Sequence, residues 1–149
     1  MRINSILSLS ILVAATSLAA ADPQIVRLSD AKWAQPFGPK GPAFSFVEGK
    51  LGDANPASFY VKLPAGGDSG WHTHDEQYQG VVVQGRFTEQ QTAESKETEL
   101  ALGTYFTQPG KIVHRNGCLG TQDCIVYVHF AKNANSTPTT RDGKPVQMK

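Results

Sequence analysis

Three features of the sequence predict an all-β domain of the sandwich or barrel type. Apolar residues cluster in short runs rich in Val, Ile, Phe, Tyr and Thr, and Gly and Pro separate those runs. The 3.6-residue periodicity of amphipathic helices is scarce. Beyond the leader described next, 128 residues remain, the length of one ordinary domain with a core of its own.

Residues 1–21 read as a secretion signal. Arg2 supplies the positive start, and Ile6 to Ala15 is an apolar run short for a bilayer span. Ala19 and Ala21 form a small-x-small cleavage pattern, with the cut expected before Asp22. A retained anchor is the alternative, but no second apolar segment or stop-transfer pattern follows. An exported protein, periplasmic or secreted, is expected.

Residues 22–43 hold a candidate strand, Gln24–Leu28, and the loop QPFGPKGP, whose three prolines carry it across the surface. Residues 44–131 form the expected barrel, with candidate strands Phe44–Val47, Ser58–Leu63, Gly80–Phe87, Glu99–Leu100, Tyr105–Gln108, Ile112–Val113 and Ile125–Phe130. Thr88–Thr98 has helix-forming composition but no apolar face, so it reads as an exposed connection. Residues 132–149 form a polar tail, expected to be loosely ordered.

Charge narrows the partners. Only Arg2 among the 14 Lys and Arg lies in the leader, so the rest of the chain balances its 13 acidic residues. No basic stripe marks a nucleic-acid surface. The expected partner is a small-molecule ligand or substrate, or an ion, with no nucleic acid and no membrane once the leader is removed. A homodimer stays open as the assembly.

His72-Thr73-His74 is the sharpest local signal. In an extended chain, residues two apart project from one face, so both imidazoles can converge on one point. Such a pair alone is more often two exposed histidines in a Gly-rich loop. His114 changes that weighting, because it follows a Pro109-Gly110 turn some forty residues downstream, and imidazoles suit Zn, Fe, Ni and Cu.

Together these residues resemble the two-part pattern of the cupin superfamily. Its first motif runs Gly, five residues, His-x-His, three or four residues, Glu, six residues, Gly, and Gly66, His72, His74 and Gly85 fall in place. Its second runs Gly, five residues, Pro-x-Gly, two residues, His, three residues, Asn, matched by Gly103, Pro109 and His114. Lys111 occupies the place of the motif glycine and Cys118 that of the asparagine. Tyr78 stands where the motif glutamate belongs. More narrowly, GWHTHDEQYQGVVVQGRF and GTYFTQPGKIVH resemble a family of small, often secreted cupins known as a domain of unknown function.

The resemblance implies a single-domain, jelly-roll-like β-barrel (a double-stranded β-helix) holding one divalent ion, Zn, Fe, Mn or Ni, on His72, His74 and His114. It supplies no reaction. Tyr78 is a candidate catalytic residue over the metal, or an ordinary strand tyrosine. His129 shares a strand face with Ile125 and Tyr127 and is a second candidate if that face points inward. Each imidazole must be neutral to coordinate, so occupancy is expected to fall as pH drops from about 8 to about 5. Cys118 and Cys124, the only cysteines, flank a short turn, and an oxidising compartment favours their pairing. Cys118 as a thiolate ligand is the alternative.

Two functions follow. One is a metal-dependent enzyme using dioxygen or Lewis-acid chemistry on a small molecule. The other is a binding or sensing module that holds a metal or ligand without turnover.

Overall fold

The computed structural model describes residues 24–146. The leader at 1–21 therefore lies outside the described residues. Among the described residues ten strands form: β1 (Ala43–Glu48), β2 (Ala57–Leu63), β3 (His72–Thr73), β4 (Tyr78–Gln84), β5 (Arg86–Gln90), β6 (Thr98–Leu100), β7 (Tyr105–Gln108), β8 (Arg115–Leu119), β9 (Cys124–Phe130) and β10 (Thr137–Pro138). No α-helix occurs among the described residues.

One sheet has the order β1-β2-β9-β4-β7, and the other β6-β5-β8. Single antiparallel bridges, Asp68 with Gly117 and His72 with His114, carry the second sheet onward to β3, which pairs with β10. Alternation on β9 sets the inner face: Val126, Val128 and Phe130 join the core, where the rings of Phe59 and Phe130 stack at 6.0 Å.

Gly80–Phe87, expected as one strand, is two. Gly85 has φ of 80°, and a Cβ there would lie 2.8 Å from the Cys124 sulfur. Only glycine fits that turn, which moves the chain from the larger sheet into the smaller one. Cys118 on β8 and Cys124 on β9 are bonded, with Cα atoms 5.6 Å apart. Their strands lie in different sheets, so the disulfide ties one layer to the other.

Four expectations need correction. Gln24–Leu28 is not a strand; Ile25 and Val26 are exposed, and only a short 3-10 turn follows at Leu28–Asp30. Ile112–Val113 is not a strand either, and β8 begins just beyond it with a polar sequence of low strand preference. Thr88, Glu89 and Gln90 are buried rather than exposed, in a strand, β5, that pairs with β8 on one edge and β6 on the other. The tail is anchored through Val146: β10 pairs with β3, Ala134 is buried, and Arg141 donates to the Ala93 carbonyl at 2.7 Å. Backbone pairing and side-chain hydrogen bonds order this segment without an apolar stripe.

Candidate metal centre

β3 and the residue just before β8 deliver the three histidines. His72 pairs with His114 across a bridge that exchanges both backbone hydrogen bonds, 3.1 and 3.0 Å long. His74 lies two residues on, and its ring meets those of His72 and His114 at centroid distances of 4.9 and 5.1 Å. One ring nitrogen from each of the three lies within 4.8 Å of the others.

Backbone carbonyls fix all three tautomers. The Nδ1 of His72 donates to the Gly70 carbonyl at 2.9 Å, and that of His114 to the Ile112 carbonyl at 2.9 Å. The Nδ1 of His74 donates to the Asn135 carbonyl. A carbonyl can only accept, so each Nδ1 carries the proton and each Nε2 presents a lone pair. The Nε2 of His114 is buried with no partner. An orphaned acceptor beside two matching ones is the donor set a divalent ion completes, and the residues fit the implied metal.

Burial holds the rings neutral. It lowers the pKa of His72, and together with the charge of His72 it takes His74 to about 3. Burial, then His72 and His74, bring His114 to about 2. Burial works against the expected loss of occupancy between about pH 8 and 5, because it disfavours the protonated rings in the folded chain.

Tyr78 lies on the inner face of β4, its ring 5.0 Å from that of His74 and stacked on Phe130 at 5.1 Å. Burial, then the Glu89 carboxyl, hold its hydroxyl protonated well above the ordinary range, with the Asn116 side chain opposing. His129 is not at the site. The face it shares with Ile125 and Tyr127 is the outer one, opposite Val126 and Val128, and its Nδ1 pairs with the Ser58 hydroxyl at 2.9 Å.

Polar residues absent from the sequence reading complete the interior. Glu89 and Asn116 face each other across β5 and β8; neither Glu89 oxygen nor the Asn116 Nδ2 has a partner. Asn116 follows His114 by two residues, so strand alternation pointed to it. Glu89 and Asn135 sit in polar runs without such a signal.

Lys111 adopts φ of 64°, the left-handed backbone that the motif glycine would supply, and its N–H donates to the His74 carbonyl at 2.6 Å. Left-handed backbone disfavours a side chain by about 1–2 kcal/mol, partly offset by the extra freedom glycine has when unfolded. Lys111→Gly is expected to stabilise the protein by up to about 1 kcal/mol, read from the urea midpoint at unchanged m-value. Destabilisation would show that the lysine makes a compensating contact.

A cavity of about 350 Å³ opens beside His72, His74 and Tyr78. Phe37, Phe44, Phe59, Phe87, Phe106 and Phe130 line much of it, and among the described residues no Lys or Arg does.

Two facing antiparallel sheets with three histidines converging between them define a cupin. The chain belongs to the family described as Domain of unknown function (DUF4437), which matches residues 19–136. No curated protein matches the chain. Among solved structures it resembles KdgF from Halomonas sp. at 22% identity, over 73% of this chain and 95% of that one, with a TM-score of 0.56. It also resembles an uncharacterised double-stranded β-helix protein from Klebsiella pneumoniae (20%, 77% and 96%, TM-score 0.60). A third is an acetylacetone dioxygenase from Acinetobacter johnsonii (13%, 87% and 86%, TM-score 0.63). At these identities the likeness shows the fold alone.

Proposed function

We propose that this protein is an exported metal-dependent enzyme whose substrate is a small molecule with an apolar body and an oxygen donor group. One observation carries the reading: ring nitrogens of His72, His74 and His114 lie within 4.8 Å of one another, and His72 and His74 line a phenylalanine-rich cavity. Three protein ligands leave coordination positions open, as catalytic sites need and closed structural sites do not. A divalent ion bound there supplies Lewis-acid or dioxygen chemistry. The phenylalanines hold the substrate body and exclude water, while the Tyr78 hydroxyl keeps its proton beside the histidines. The fold shared with an acetylacetone dioxygenase is compatible with that chemistry. Export is supported by the leader pattern and by the Cys118–Cys124 bond.

Two hydroxamates that share a metal-binding head test the reading on cobalt-loaded protein. Benzohydroxamate is expected to perturb the cobalt absorption and to bind at least about tenfold tighter than acetohydroxamate. Burying a phenyl face of about 100 Å² is worth about 2.5 kcal/mol at roughly 25 cal/mol per Å², more than the tenfold difference requires. Equal affinities would overturn the apolar substrate. A spectrum indifferent to both would mean a closed site and overturn the enzyme. Protein recovered from its native compartment with no divalent ion would overturn the metal.

A further inference from the structure

The three ligand histidines are not held alike. The carbonyls that orient His72 and His114 come from Gly70 and Ile112, each two residues earlier in the same loop. The carbonyl that orients His74 comes from Asn135, 61 residues away in the C-terminal segment. Asn135 is itself clamped to the residue after His74. Its Nδ2 donates to the Asp75 carboxylate at 2.6 Å, and its Oδ1 accepts from the Asp75 backbone N–H at 2.9 Å. Asn133 Nδ2 adds a longer contact to the same carboxylate, at 3.3 Å.

The rest of the segment is secured independently. β10 pairs with β3 so that Thr137 faces Thr73 and Pro138 faces His72. The Thr139 N–H donates to the Trp71 carbonyl at 2.9 Å. The Arg141 guanidinium lies over the Trp71 ring, 5.6 Å from its centre. Loss of the Asn135–Asp75 pair therefore leaves the strap attached on its far side and removes what aligns one carbonyl with one imidazole.

We propose that Asn135 and Asp75 are positioning residues for the metal ligand His74, so that the C-terminal segment sets the metal affinity of a site built almost wholly from the barrel. This rests on the metal-binding reading above. Outer groups that orient ligating histidines alter metal affinity by about 10–100-fold when removed. Here the carbonyl survives a side-chain change and only its alignment is lost, so the low end of that range applies.

The test is a cobalt(II) titration of the full chain, followed by visible absorption, beside the thermal midpoint of the metal-free protein. Asn135→Ala is expected to weaken cobalt binding about tenfold, and to shift the absorption bands, with little change in the metal-free midpoint. Asn135→Asp sets two carboxylates face to face and is expected to be worse. The exchange of Asp75→Asn with Asn135→Asp puts a donor opposite an acceptor again and is expected to recover most of the lost affinity, which keeps the test decisive if a single variant fails to fold. Unchanged affinity in Asn135→Ala, or a lowered midpoint at unchanged affinity, would overturn the positioning role and leave only packing. So would an exchange that recovers nothing. A wild-type chain that takes up no cobalt would instead overturn the metal reading.

Discussion

Replacing His114 by alanine is expected to abolish stoichiometric metal binding and to make the metal-free protein less sensitive to acid. Its ring is fully buried and its Nε2 points at no protein partner, so nothing nearby replaces it. Losing a ligand exceeds the roughly 10–100-fold effect of losing an outer-shell group. The acid effect follows from linkage. The unfolded chain takes up a proton on each histidine near pH 6.5, whereas the folded site stays neutral to about 3 at His74 and about 2 at His114. Stability contributed by these groups is whole above the unfolded pKa and is lost as pH falls toward the folded values. By pH 5 His74 and His114, each buried and neutral, weaken folding by about 2 kcal/mol apiece, a large share of the 5–15 kcal/mol stability of a small domain, and His72 acts in the same direction. Urea unfolding from pH 7 to 4 should show the wild type losing stability as pH falls, with a slope about one proton steeper than that of His114→Ala. Equal slopes would mean that His114 is protonated in the folded state. Bound metal should shift the wild-type transition to lower pH by mass action and leave His114→Ala unmoved.

Glu89→Gln is expected to stabilise the protein above neutral pH, by about 2 kcal/mol at pH 9 once the cost of burying an unpaired amide is subtracted from that of the carboxylate. Glu89 is 2% exposed, neither oxygen has a partner, and burial raises its pKa to about 8. The sign is opposite to that of the histidines. With the folded pKa above the unfolded one, the contribution to stability is intact below the unfolded value and is lost as pH rises through about 8. The variant should therefore be the less stable near pH 4.5, by the cost of the buried amide, and exceed the wild type from about neutral pH up to pH 9 in urea unfolding. A loss of stability at pH 9 would show that Glu89 is ionised and paired. A buried, unpaired carboxyl that weakens its own fold is the kind of group proteins keep for function, and this one sits across from Asn116 and near the Tyr78 hydroxyl.

The parts of the fold and site legible in the sequence are those set by short-range rules. Strand composition and Gly/Pro punctuation located β1, β2, β6, β7 and β9 to within a residue or two. Two-residue alternation placed His72 and His74 on one face, and the spacing to His114 identified the cupin pattern. Cysteines flanking one turn, together with the expected oxidising compartment, favoured the bond that forms. Lys111 in the place of the motif glycine even retains glycine's left-handed backbone.

Tertiary structure alone decided the rest. Whether the Ile125, Tyr127 and His129 face points in or out depends on which face of β9 meets the opposing sheet, and alternation is indifferent to that choice. Glu89 is buried because it shares with Phe87, two residues earlier, the face of β5 that packs into the core, although its own neighbours in sequence are polar. The tail gained order from β3, Asp75 and Ala93, all distant along the chain. Protonation was equally out of reach of the sequence. An imidazole's pKa in the folded chain depends on how much water is excluded around it, and that is a sum over every segment that folds against it. The sequence by itself determined which residues can meet at a metal; the packing of remote segments decided their tautomers, their charge and the company they keep.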